Sequence, residues 1–318
     1  MKLTASAITR RAFGCALGGA VLSLSRSASA SDRLTWDEPT TSAQTVECRY
    51  RADAQILLLS VPLLHRTGVG GGSAVWREAT EPGGQLVRFL EFNGFSIPSR
   101  AAGLNRLGFI REMSRMAGGN NLESLYFGLM TASPEESAEQ ARSALRNTAK
   151  EQLYTTIDGR VTPAVVETTT AHFAAPSSLS ASNRTELMES ARQALATAPK
   201  ISAGPATTGS NVPFLQALAA MLRRSDQKSS EFVYAGRAYS LSATRSPDAK
   251  ATAYFRERHL IPAGGSVIQV AGKLRRQAGG KETEFRLWIE QAAERPLPLR
   301  IEYRAKSYLR LIFEVEAA

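Results

Sequence analysis

The sequence predicts a mainly β protein with a few helices: a curved antiparallel sheet, or partial β-barrel, packed with about three helices. Three observations carry this. From Thr45 onward, apolar and polar residues alternate with period two in one short stretch after another. Gly, Pro, Asn and Asp clusters separate those stretches as turns do. Only a few windows repeat at helical spacing, and a sheet of about a dozen strands curls or splits instead of lying flat.

The chain opens with a segment that does not belong to this sheet. Residues 1–30 have a basic start (Lys2, Arg10, Arg11), a weakly apolar stretch diluted by glycines, and small residues ending at Ala28-Ser29-Ala30, the layout of a cleaved export signal. Arg10 and Arg11 followed by Phe13 mark the twin-arginine route, and Ala28 and Ala30 frame a cleavage that would leave Ser31 first. The partners expected here are the twin-arginine translocase and a signal peptidase, and the expected location is the periplasm or the exterior. The apolar stretch is shorter than the roughly 20 residues that span a bilayer, so the processed protein is expected to be soluble. Removing the signal takes away Lys2, Arg10, Arg11 and Arg26 and no acid, which lowers the formal net charge from +10 to +6.

Residues 31–44 read as a flexible lead-in and 45–318 as a single β-rich domain, with possible halves 45–198 and 211–318. Strands are expected at 45–60, 68–79, 84–94 and 106–116, with turns at Gly83-Gly84 and Gly118 to Asn121. In the first, Cys48 shares a face with Val46, Tyr50 and Ala52, which makes it a small core residue. It is the single cysteine left after processing, so no intramolecular disulfide is possible. Gly68-Val69-Gly70-Gly71-Gly72 reads as a bulge or tight bend. Ser133-Pro134-Glu135-Glu136 has the capping-box order of a helix start, giving a helix to about 147. Asp158-Gly159 reads as a hairpin turn. Two more helices are expected at 184–197, capped by Ser182 or Asn183, and at 212–224, where Phe214, Leu215, Leu218, Met221 and Leu222 form a stripe. Strands at 237–246, 249–258 and 266–275 follow. The last three strands have the clearest alternation, as in Leu309, Leu311, Phe313 and Val315 against Arg310, Glu314 and Glu316.

The run Phe285-Arg286-Leu287-Trp288-Ile289, followed by Arg295-Pro296-Leu297-Pro298-Leu299-Arg300-Ile301-Glu302-Tyr303, resembles the terminal strands of the domain-of-unknown-function family numbered 3108. Phe214 to Arg224 followed by Tyr234 to Tyr239 is similar to its preceding helix and hairpin. The resemblance covers residues 210–318 best. It implies a β-rich fold and an exported protein, and it carries no catalytic residues to transfer.

No catalytic, cofactor or metal residues emerge from the chain. His65, His172 and His259 are not paired at ligand spacing, and Gly72-Ser73 lacks a nucleophile elbow. The glycine run lacks the Lys-Ser/Thr that a phosphate loop needs. The sequence contains no basic run interleaved with aromatics, so no nucleic acid is expected. Arg256, Arg258, Arg286, Arg300, Arg304 and Arg310 fall on polar strand faces that adjacent strands could gather into one patch for an anionic partner. Leu86, Val87, Phe89, Leu90 and Phe92 crowd both faces of one strand. The leading expectation is therefore a non-enzymatic exported protein that holds a lipid or other hydrophobic ligand on a concave apolar face. The alternatives are an accessory protein of envelope or polysaccharide assembly using the arginine face, and a hydrolase.

Overall fold

The computed structural model describes residues 34–36, 44–58, 61–81, 84–117, 120–132, 151–176, 184–203, 211–280, 282–306 and 308–317. Among these residues fourteen antiparallel strands form one sheet: β1 (Gln44–Leu58), β2 (Val61–Thr80), β3 (Leu86–Ser96), β4 (Leu107–Ala117), β5 (Asn120–Thr131), β6 (Glu151–Val161), β7 (Val166–Pro176), β8 (Lys200–Ala203), β9 (Ser229–Tyr234), β10 (Arg237–Pro247), β11 (Val267–Arg276), β12 (Thr283–Glu290), β13 (Arg300–Lys306) and β14 (Leu309–Val315). Each strand pairs with its neighbours in sequence, except that β8 and β9 do not pair and form the two edges, and with one addition. The first and last strands zip together, Tyr50 opposite Val315 through Ile56 opposite Leu309. The ladder therefore runs from β8 back to β1, across to β14, and back again to β9.

Three helices among the described residues cover this sheet: α1 (Arg184–Thr197), α2 (Phe214–Arg223) and α3 (Ala249–Glu257). The sheet curls around α2. Ala217, Met221 and Leu222 of that helix pack on Phe232, Leu241, Val270, Phe285 and Leu287 of the C-terminal strands. Its other side, through Ala219 and Leu215, packs on Trp76 and Leu90 of the N-terminal strands. A helix apolar on most of its circumference belongs inside, and α2 fills the concave face. On the opposite face, α1 lays Leu187 and Ala191 over Phe109, Phe127, Leu129 and Tyr154. Leu34 packs beside it against Val87, Phe89, Met113 and Leu125, with Trp36 alongside. No described helix is long and apolar enough to cross a membrane.

Several expectations change. The doubly apolar β3 faces protein on both sides, α2 inside and Leu34 outside. Leu34 is packed and hydrogen-bonded, its N–H donating to Glu123 at 3.0 Å, so part of the expected lead-in is built into the fold. Asp158-Gly159 is no turn: it lies inside β6, paired with Thr169 and Thr168 of β7. A Cβ at Gly159 would run into the Tyr126 ring on β5, and room for that ring is what glycine supplies here. The turn falls instead between Thr162 and Val165. Residues 249–257 form a helix where a strand was expected. The Asp248 carboxylate accepts the Ala251 N–H at 2.8 Å as an N-cap. Nine residues with three alanines alternate and repeat at helical spacing at the same time, so period alone does not separate the two states. The glycine run behaves as expected: Gly68 has a φ of 62°, and the β1–β2 register slips between Ala52 and Ala54 beside it. The expected helix at 133–147 and the signal residues Arg10, Arg11, Phe13, Ala28 and Ala30 lie outside the described residues.

Candidate functional site

Two sets of charges stand on opposite faces of the sheet. On the concave face, Glu112 of β4 is fully buried and accepts the backbone N–H groups of Leu215 at 2.8 Å and Gln216 at 2.9 Å. These are orphan donors of the first turn of α2, whose own N-cap position is Pro213 and supplies no side-chain acceptor. Burial pushes the Glu112 carboxyl up to about 8, while the donors of Leu215, Gln216 and Phe214 pull the other way. At the far end of α2, Arg223 reaches Glu78 of β2 at 3.2 Å. Glu78 also takes Arg88 at 2.7 Å and Arg295 at 3.3 Å. Burial acts to raise the Glu78 carboxyl, but the Arg88 hydrogen bond and the Arg88 and Arg223 charges outweigh it, and the net displacement is downward. The Trp76 ring lies beneath Arg88 and Arg223, at 5.4 and 5.8 Å. Arg223 matches the helix dipole at the C-terminus, while at the N-terminus the Glu112 oxygens satisfy the free amides. This set holds α2 in place.

The second set occupies the face away from α2. Register aligns two rows across β10 to β14: Thr244, Ala271, Arg286, Glu302 and Ile312 in one, and Ser242, Lys273 and Glu284, with Arg304 opposite Arg310, in the other. The side chains on β10 and β11 are mostly small and those on β12 to β14 are long. Between them lies a groove of about 470 Å³, lined by Lys228, Lys273, Arg286, Arg304 and Arg310 together with Glu284 and Glu302. Five cations against two acids give it a positive field.

Of the six expected arginines, the structure brings Arg286, Arg304 and Arg310 into this groove. The other three serve the adjoining end of the same face, under α3. Arg256 donates to the Gly265 carbonyl at 2.9 and 2.6 Å. Arg258 lies 4.3 Å from the Tyr254 ring and 3.9 Å from Glu314. Arg300 pairs with Glu302 at 2.6 Å and Glu314 at 3.5 Å, above the Trp288 ring. The Ala251 N–H and the Trp288 indole N–H hold the Asp248 carboxyl below its usual range and fasten α3 to β12.

The remaining reactive groups are dispersed. Burial pushes the Cys48 thiol up to about 11, which suppresses the thiolate on which nucleophilicity depends. His65 lies 3.6 Å from Asp53, His172 is 3.0 Å from the Thr155 hydroxyl, and His259 follows α3. Among the described residues no three His, Cys, Asp or Glu side chains converge as a metal would require.

No family model matches the chain. No curated protein matches it in sequence. Among solved structures it is similar to a β-barrel-like protein of domain of unknown function DUF1849 from Brucella abortus, with a TM-score of 0.42 and 6% identity over 86% of this chain and 98% of that one.

Proposed function

We propose that this is an exported, non-enzymatic binding protein that holds an anionic component of the cell envelope in the groove on β10 to β14. The observation that carries the reading is the convergence of Lys273, Arg286, Arg304 and Arg310 from four strands around about 470 Å³, with Lys228 at the rim. Guanidinium groups on a rigid sheet are suited to carboxylate or phosphate, which they grip in bidentate fashion. The concave face, the natural place for a hydrophobic ligand, is occupied by α2, which shifts the weight from that ligand to an anionic one. Export rests on Arg10, Arg11 and Phe13 and on the small residues Ala28 and Ala30; replacing both arginines with lysine should stop processing of the chain in its host.

The test of the groove is titration with a soluble uronic-acid polysaccharide and with polyphosphate at low and moderate salt. Binding should weaken steeply as salt rises and fall at least tenfold in the double variant Arg286→Glu, Arg304→Glu. Arg300 is the wrong residue to change, because its ion pairs with Glu302 and Glu314 would be lost as well. Binding to neither polymer, or binding indifferent to both salt and the double variant, overturns the reading.

A further inference from the structure

The groove on β10 to β14 carries two acids among its cations, and pairing leaves one of them unused. In the register, Arg286 lies opposite Glu302 and Lys273 lies opposite Glu284. Neither cross-strand pair closes. Glu302 turns to Arg300 at 2.6 Å, and Lys273 turns to Glu282 at 2.7 Å. Glu284 and Arg286, two residues apart on β12, are both exposed. Among the described residues neither makes a hydrogen bond or ion pair of its own.

An unpaired acid in a cationic groove selects among anions. An ionised Glu accepts hydrogen bonds and cannot donate, whereas Arg donates and cannot accept. Side chains two residues apart on a strand share a face at roughly 6.7 Å, so a ligand that satisfies both presents an anionic group and a hydrogen-bond donor at about that separation. Polyphosphate offers acceptors alone, and the Glu284 charge repels it. A sugar acid offers a carboxylate and several hydroxyls on one ring. The floor beside β12 suits such a ring. Ala271 and Thr244 continue the row of Arg286, Ser242 continues the row of Glu284 through Lys273, and all three are short. With strands about 4.8 Å apart, this shelf is roughly 10 Å wide, and its two hydroxyls both donate and accept. The surplus of cations, with Lys228, Arg304 and Arg310 around it, works against a ligand ammonium at Glu284.

We infer that the ligand of the groove is an acidic saccharide, with its carboxylates held by Arg286, Arg304 and Arg310 and its hydroxyls donating to Glu284 over the shelf of Ser242, Thr244 and Ala271. This rests on the reading of the groove as an anion site and names the anion it takes.

The test titrates the full chain by calorimetry with an oligomer of a uronic acid and an oligomer of phosphate, matched in number of charges and at one salt concentration. Wild type should bind the oligouronate at least tenfold tighter. Glu284→Ala should move the two in opposite directions, the oligouronate at least fivefold weaker and the oligophosphate at least twofold tighter. Thr244→Val keeps the shape and removes the hydroxyl; it should weaken the oligouronate about threefold and leave the oligophosphate unchanged. Glu284 and Thr244 are exposed, so neither variant disturbs packing, and an unchanged melting temperature verifies this. Oligophosphate bound as tightly as the oligouronate, or Glu284→Ala strengthening both alike, overturns the saccharide and leaves the groove an anion site. Binding of neither oligomer overturns the groove reading and the saccharide together.

Discussion

The two faces of the sheet use charge in opposite ways, on the concave side of β2 and β4 and on the outer side of β10 to β14. On the concave side Glu78 and Glu112 are buried, and their partners come from the protein: Arg88, Arg223 and Arg295 for one, the amides of α2 for the other. On the other side the cations outnumber the acids around an open groove. Removing a group from a closed set leaves its partners desolvated and alone, whereas removing one from the open set leaves water to replace it. Charge inside the curl should therefore be read through stability, and charge outside it through binding.

That contrast breaks most visibly at Glu78. Replacing it with Ala strands the buried Arg88 and takes a partner from Arg223 and Arg295, and should cost about 3–5 kcal/mol, a fall in melting temperature on the order of 10 °C; calorimetry showing a loss below about 1 kcal/mol would mean that water already reaches the site. Gly159→Ala comes next. The added methyl meets the Tyr126 ring, whose hydroxyl is 2.5 Å from that of Thr168, and overpacking of this kind costs about 1–3 kcal/mol.

Glu112 sharpens the comparison through pH. Its carboxyl is raised from 4.5 to about 8 in the fold, so between those values the folded chain holds a proton that the unfolded chain has released. Stability from this group is full below about 4.5 and is lost as pH rises toward 8. Wild type should lose melting temperature relative to Glu112→Gln between pH 5 and pH 8; a flat difference across that range would show that the carboxylate stays ionised throughout. The smallest effect belongs to the groove. Arg286→Glu, on an exposed side chain, should move stability by no more than about 0.5 kcal/mol while weakening polyanion binding, and a large stability loss would place Arg286 with the structural charges.

How far each element could be read from the chain follows the same division. Strands with one covered face and one wet face alternate plainly, and β12 to β14 show this, with Arg286, Arg304 and Arg310 already marked as one polar surface. The helix at 184–197 announces itself by its spacing and falls where the periodicity puts it. Glu112 was not legible, because a strand polar at 112 and 114 reads as having a solvated face, yet both residues are fully buried. One sign was available: the helix after Asn211-Val212-Pro213 has no capping side chain of its own, so its first amides had to find an acceptor elsewhere in the chain. Arg256 and Arg258 left the patch because residues 249–257, read as part of a strand, form a helix capped by Asp248. The pairing of β1 with β14 had no local signal at all, since neither strand differs in pattern from one paired to its sequence neighbour.

That pairing places a constraint on synthesis. At roughly 5–20 residues per second, β1 leaves the ribosome on the order of tens of seconds before β14. Through that interval the Tyr50 edge, destined for the middle of the sheet, waits open beside β2, and the rungs Tyr50 to Val315 and Ala52 to Phe313 close only after β14 has emerged. A nascent chain of this protein is thus a sheet with an open seam until β14 arrives.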